Sequence, residues 1–420
     1  MFSMLTIALR NLTRYKRRTL LTTLLIVLGV TAVLLFSGLA GSFKTMMVGI
    51  ITDSSLGHLQ VHRRGYVSSI DSLPLNLNMS AKGYEQVAGL LEADPAVAAY
   101  APRLKFGAMF SNYAETTNVR LTAVDPEREA AVCPGLAGRL VGEAPKDAPP
   151  IVPLVSPGQI VIPQRVAQGM NVKPGDSVVL VATNKDGSVN GMPFTVSGLI
   201  EDVAGPGGKD AYMHLADARK LLRINDQEVS EVAVRLKEFA ALGGAEKRLR
   251  AALEPLVNKQ GKPAFELHTW AKLSPFANIA DMIELMIVSV KVMMIAIVLI
   301  SVLNVMLMSV FERIREIGTI AAMGTSPAKI LGLFVIEGFL LGLTGAAAGS
   351  LLGLAGLLAA RYAKPTFTFA RMDNLTLSPS IDPVEFLLVA GIVLAAATLA
   401  ALQPAFKASR MEPVEALGHV

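Results

Sequence analysis

The sequence predicts an α-helical membrane protein with four transmembrane helices and an α+β domain inserted between helices 1 and 2. Three observations carry this. The 420 residues are 52% hydrophobic with a mean hydropathy of +0.48, which is wrong for a water-soluble chain and for a disordered or nucleic-acid-coating one. Four nearly uncharged runs reach the ~20 residues that a helix needs to cross ~30 Å of hydrocarbon. Over 230 polar, mixed residues separate the first run from the second.

Residues 1–18 form a basic start, with Arg10, Arg14, Lys16, Arg17 and Arg18 and no acid, a local excess that reads as membrane topology. Helix 1 spans 19–43, with a stalk extension through Phe43–Ile51. A basic start, an apolar run and Gly38-Leu39-Ala40 also fit a cleavable signal, but 25 residues exceed the roughly 7–15 of a signal core, so an uncleaved anchor is expected. Residues 44–281 read as alternating helices and strands. A helix is predicted over Gly83–Ala93, with strands over Val97–Tyr100, Leu104–Phe110 and Val119–Val124. The stretch 132–158 holds six prolines and four glycines and is expected to link two subdomains. Strands follow over Gln159–Ile162, Ser177–Ala182, Phe194–Ile200, Glu231–Leu236 and Ala264–His268, helices over Val166–Met170, Leu215–Leu222 and Ala245–Leu256, and a loop over Gly205-Pro206-Gly207-Gly208.

Helix 2 covers 282–311, with a stalk running back to Leu273. Residues 312–329 hold a short surface helix, with charges on its first turns and apolar residues beyond, suited to docking in a groove on a soluble partner. Helix 3 spans 330–360 and sets Gly338, Gly342, Gly345, Gly349 and Gly353 at spacings that let another backbone approach. A short loop, 361–382, leads to helix 4 over 383–402, where Asp382 at the N-cap, Pro383 and Glu385 predict a capping box. A tail follows over 403–420. Counting basic residues puts both termini in the cytoplasm and 44–281 outside.

The chemistry excluded is equally informative. No G-x-x-x-x-G-K-[ST] occurs, so the chain has no P-loop for ATP, and there is no G-x-S-x-G or H-E-x-x-H. Cys133, the lone cysteine, lacks a partner for an intrachain disulfide and a nearby histidine in sequence. His58 and His62 have no third ligand in reach, so a polar strand face is expected there rather than a metal. Glu337, the one ionisable group deep in a span, is expected to face protein.

Three segments carry a resemblance. They are the E-x-x-x-E-I-G-x-x-x-A-M-G pattern of Glu312–Gly324, Phe334-Val335-Ile336-Glu337-Gly338, and the tail from Pro404 to Leu417, P-A-x-x-A-x-R-x-x-P-V-E-A-L. With Val172–Val178 and Ala211–Arg219, these make the chain similar to the four-helix permease subunits of bacterial ABC systems, a group of mechanotransmission type that includes lipoprotein-releasing, macrolide-exporter and cell-division permeases. The resemblance implies an inner-membrane permease without catalysis or cofactor of its own. A separate ATPase, two copies with ATP and Mg, would bind the surface helix of two permeases, identical or paralogous. The implied ATPase-coupling residues are Glu312, Arg313, Arg315, Glu316, Ile317, Met323 and Gly324. Ala321 stands where relatives commonly carry a basic residue, so that contact is missing or supplied by Arg315.

The substrate implied first is a lipoprotein or similar amphiphile, with Phe43, Met46, Met47, Ile50, Met282, Leu285, Met286 and Met293 offering flexible apolar contacts, although packing between stalks explains them equally. Gly57–His62 resembles the lipoprotein-releasing type. A periplasmic chaperone or adaptor is a further implied partner. Efflux of a peptide or drug is the alternative, and signalling to a cell-wall hydrolase a third, disfavoured by the size of the outer domain.

Overall fold

The computed structural model describes residues 6–8, 10–11, 14, 16–141, 154–202, 209–369 and 372–411. The expected loop Gly205–Gly208, residues 142–153 of the proline-rich stretch and the tail from Glu412 onward lie outside them. The chain divides into a helical unit, Met1–Thr45 with Asp281–Phe367 and Asn374–Val420, and an inserted unit, Met46–Ala280 with Thr368–Asp373.

Helix α1, Lys16–Ile51, continues without a break past the expected span and widens into a π turn, Thr52–Leu56. At 1.5 Å per residue its 36 residues measure about 54 Å, well beyond the ~30 Å hydrocarbon core.

The inserted unit is one ten-stranded sheet: β1 (Leu59–Arg63), β2 (Val97–Ser111), β3 (Thr116–Val124), β4 (Leu140–Val141), β5 (Gln159–Pro163), β6 (Ser177–Thr183), β7 (Val189–Ile200), β8 (Ala211–His214), β9 (Glu231–Leu236) and β10 (Phe265–Thr269). Its order is β10-β1-β9-β2-β3-β8-β5-β7-β4, with β6 paired to β2 and β7. The two strands expected at 97–110 are one 15-residue strand. Pro102 does not interrupt it, because it pairs with Val232 on one side only and pairing with β3 starts at Arg103, so its missing N–H faces no second neighbour.

The helices of this unit are α2 (Ala81–Ala93), α3 (Pro126–Val132), α4 (Gln164–Gly169), α5 (Leu215–Leu221), α6 (Leu242–Leu253) and α7 (Trp270–Leu273). Helix α2 starts where the Ser80 hydroxyl accepts from the Gly83 N–H. Val87 and Leu91 of α2 and Leu249 of α6 pack on Leu59, Val61, Val232 and Val234. Phe106, Phe110, Leu121, Ile160, Leu180 and Phe194 build a second core at the other end of the sheet. A third cluster joins Met47, Val48 and Ile51 to Trp270, Ala277 and Ala280.

The helical unit adds α8 (Ala277–Glu312), α9 (Ile314–Ala322), α10 (Pro327–Ala363), the hairpin β11 (Thr366–Phe369) and β12 (Met372–Thr376), and α11 (Pro383–Ser409). With α1, three of these are long and apolar enough to cross a membrane. The glycines of α10 serve two neighbours. A Cβ on Gly338 or Gly342 would strike Ala401 or Ala397 of α11, while at Gly345, Gly349 and Gly353 it would meet Ile26, Val30 and Leu34 of α1, at 2.5, 2.7 and 3.0 Å.

Asp382 caps α11 by accepting from Val384 N–H at 2.9 Å, as expected. Glu385 does not close a capping box; its carboxylate pairs with Lys291 of α8 at 2.7 Å, each ionisable group finding its opposite within the spans. Helix α11 also runs seven residues past the expected end, through Pro404. Pro404, Ala405 and Ala408 are buried, and packing of the last two holds those turns in place.

Candidate functional site

The short helix predicted after helix 2 is α9, set off from α8 by one non-helical residue, Arg313 (φ −116°). Its amphipathic pattern sorts the predicted coupling residues into two sets. Glu312, Arg315, Met323 and Gly324 are exposed, Met323 at 73%, and Thr319 and Ala322 join them. Gly324 takes φ +87°, which only glycine adopts freely, and ends the helix sharply.

Arg313 and Ile317, also named as coupling residues, face the other way and are buried. Ile317 packs with Val310, Ile330, Phe334, Ala405 and Ala408. Arg313, 5% exposed, donates from Nη1 to Glu337 Oε1 at 3.0 Å and from Nε to Glu316 Oε2 at 3.1 Å, above the Phe334 ring. The Asn11 amide also donates to Glu337, at 2.6 Å, and Arg14 to Glu316, at 3.1 Å. Burial alone would lower the Arg313 pKa; Glu337 and Glu316 outweigh it and raise it. The network ties the N-terminal segment, α9 and α10 together. A carboxylate deep in a span with an arginine just after the preceding one signals this pair, whereas nothing in the sequence marks Asn11. Ala321 is half-buried against the Ile317 cluster, and Arg315 is the exposed basic residue within α9 itself.

The predicted amphiphile contacts also divide. Met282, Leu285, Met286 and Met293 lie exposed on α8, from 49% to 65%. Phe43, Met46 and Ile50 are half-buried. Met47, at 1%, is a core residue against Trp270, and its position on the inner side of α1 removes it from the apolar surface. A Lys44–Glu284 ion pair holds α1 beside α8 at this level.

In the inserted unit, His58 and His62 are both buried rather than on a polar face. His58 Nδ1 accepts from Leu236 N–H at 3.0 Å, and His62 lies 3.5 Å from Glu231. No group of three or more metal-ligating residues occurs among the described residues. Sequence reasoning missed a buried charge cluster. Arg103 bonds Glu129 and Glu231, Lys105 lies 3.5 Å from Glu231, and Thr122 donates to Asp210 at 2.8 Å. Burial would raise the Glu231 pKa, yet Lys105, His62 and Arg103 bring it well below the usual carboxylate range. Arg103 and Lys105 alternate with Leu104 and Phe106, a strand pattern that ordinarily puts charge in water. Here both faces are covered.

The comparisons with known proteins follow the same division. Residues 19–252 match a family described as the MacB-like periplasmic core domain, and residues 288–413 one described as the FtsX-like permease C-terminal. The pyoverdine export ATP-binding/permease protein PvdT of Pseudomonas syringae pv. tomato is 29% identical over 54% of this chain and 34% of its own length. The chain thus spans about a third of the first curated relatives. The lipoprotein-releasing system transmembrane protein LolC of Neisseria meningitidis serogroup B is 23% identical over 93% of this chain and 92% of its own. The macrolide export ATP-binding/permease protein MacB of Hahella chejuensis is 24% identical over 97% and 58%. The solved periplasmic region of MacB from Actinobacillus actinomycetemcomitans aligns with 55% of this chain at 15% identity and a TM-score of 0.36, covering 94% of that structure.

Proposed function

Since this chain belongs to the ABC-transporter permease family with a MacB-like periplasmic core domain and an FtsX-like permease C-terminal region, we propose that it transmits the ATP cycle of a separate ATPase to the inserted domain. The exposed surface around α9, formed by Arg315 and Thr319 of the helix with Glu312 before it and Met323 at its C-cap, carries this reading. It projects from a helix whose other face is fixed by Arg313–Glu337, so force applied there is passed to α8 and α10 rather than absorbed locally. ATP and Mg belong to the partner, because these 420 residues hold no P-loop. In this reading both termini and α9 are cytoplasmic, the inserted domain is periplasmic and the membrane is the bacterial inner membrane.

The substrate proposed is a lipoprotein or similar amphiphile taken from the outer leaflet. Support comes from the near full-length match to LolC and from the exposed Met282, Leu285, Met286 and Met293. The second reading, export of a soluble compound through an adaptor and duct, rests on the PvdT and MacB relatives. Purification of the tagged chain from its native membrane in mild detergent, followed by mass spectrometry, tests both. An ATPase with bound lipoprotein is expected; an adaptor instead shifts the assignment to export, and absence of any ATPase removes the coupling reading. Reversing the exposed charges, Glu312→Lys with Arg315→Glu, should abolish ATPase copurification. Unchanged recovery would remove α9 as the docking site.

A further inference from the structure

We infer that the outer end of α1 is locked into the inserted domain by a clamp of three arginines, Arg103, Arg139 and Arg235, making helix end and domain one rigid lever. This inference rests on the proposed coupling function and names the joint through which the domain would be moved.

A helix C-terminus presents carbonyls without intrahelical partners and the negative end of the helix dipole. Where such an end enters a folded domain, it stays mobile unless each carbonyl finds a donor. In the π turn that closes α1, all five consecutive carbonyls do. Thr52 O accepts from Gly57 N–H at 2.9 Å and Asp53 O from Gly135 N–H at 2.9 Å. Ser54 O accepts from Arg139 Nη1 at 3.1 Å, Ser55 O from Arg103 Nη1 at 2.6 Å and Leu56 O from Gln60 Nε2 at 2.9 Å. Arg235 Nη1 adds a bond to the Asp53 carboxylate at 2.7 Å.

The three cations come from β2, from the turn before β4 and from β9, so the turn is gripped from separate parts of the domain. Their own anchors are independent of the helix. Arg103 bonds Glu129 and Glu231, Arg139 Nη2 donates to Glu201 O at 2.8 Å, and Arg235 reaches Val132 O at 3.3 Å. The loops also close tightly on the turn. A Cβ on Gly135 would lie 3.1 Å from Asp53 O, and Gly57, at φ +68°, would bring one within 3.0 Å of Val234 O. Charge-assisted bonds to a dipole end, two of the three from buried arginines, Arg103 and Arg139, and the third from the half-buried Arg235, resist pivoting far more than apolar contacts alone.

Cys133 lies inside this joint. Arg103 Nη2 donates to its sulfur at 3.1 Å, and the thiol lies 3.6 Å from Thr52 O. Burial pushes its pKa up to about 12, which makes it unreactive while the clamp is shut. As the chain's one cysteine it reports clamp opening without an added label.

The test uses the full chain with its copurified ATPase in nanodiscs, labelled with a maleimide without nucleotide, with ATP and with ATP plus vanadate. Wild-type labelling should stay at least ~100-fold slower than in the urea-unfolded chain in every state. Acceleration of about ten-fold or more with ATP or vanadate would overturn the rigid joint, because the clamp would then open during the cycle. Arg139→Gln and Arg235→Gln should each speed labelling by about ten-fold, with Arg→Lys at the same positions restoring part of the protection. In the glutamine variants the ATPase should remain bound while nucleotide-dependent hydrogen exchange in the inserted domain is lost. Glutamine variants that label slowly and keep that exchange response would also overturn the inference. Failure of any ATPase to copurify would defeat the proposed function instead, and slow labelling without nucleotide would still bear on the clamp.

Discussion

The two units of this chain solve the same packing problem by opposite means. The inserted unit buries aromatic and branched side chains between sheet and helices, and surrounds Arg103 with paired charge. The helical unit brings backbones together, with Gly345 and Gly349 of α10 seated against Ile26 and Val30 of α1. The difference follows from the solvent. Water drives apolar burial in the inserted unit, which leaves room for costly polar groups if each is paired. Lipid offers no such drive, so helix contact rests on close van der Waals fit between small residues.

The largest expected effect lies in the inserted unit. Arg103→Ala would leave Glu129 buried without its cation and Glu231 with Lys105 alone, at a cost of about 3–5 kcal/mol. Urea unfolding of the full chain, followed by the fluorescence of Trp270, the single tryptophan, should show it as a lowered midpoint. A midpoint unchanged from wild type would mean that the charge cluster contributes little, and the contrast between the units would fail. Next is Gly349→Leu, which should cost about 1–3 kcal/mol or more by overpacking against Val30. It should broaden detergent size exclusion and lower thermal stability while leaving the Trp270 urea transition in place; a shifted Trp270 transition would show that the units do not fail separately.

A smaller effect is pH dependence of the inserted unit. Burial lowers the pKa of His58, and burial with the nearby His62 lowers that of His268 to about 4, so both are neutral in the fold. The unfolded chain takes up protons near its ordinary histidine pKa of about 6.5, and stability is full above that value and falls as pH drops toward 4. Glu231, held below its usual range, adds loss at still lower pH. His268→Gln should flatten the decline of the urea midpoint between pH 7 and 5, and an undiminished slope would assign it elsewhere. The smallest effect is a control within the membrane helices. Gly391 of α11 meets nothing within 4 Å, so Gly391→Ala should be neutral or stabilise by up to about 1 kcal/mol. Destabilisation there would mean that glycine spacing, not contact, governs these helices.

Hydropathy made the four spans and the inserted domain legible, because length and charge exclusion act on each segment by itself. The cap at Asp382 was readable for the same reason, whereas the Ser80 cap was not read and the helix it opens begins two residues before the expected Gly83. Direction was not readable. Nothing local distinguishes Met47, which packs on Trp270, from Met46 one residue before it, or shows that Arg313 turns inward while Arg315 turns out. Nor does β2 disclose that its Arg103 and Lys105 lie under cover, since the layer above them comes from distant sequence. The clamp around Thr52–Leu56 was hidden for that reason too.

Pro404 carries one more consequence. Lacking an N–H, it leaves the Ala400 carbonyl without its bond along α11, so the helix is tied one bond less tightly just before the turns that touch Ile317 and Phe334. If α9 couples to an ATPase as proposed, α11 is the helix expected to flex there, having lost that bond. Pro404→Ala, by restoring the tie, should remove that give.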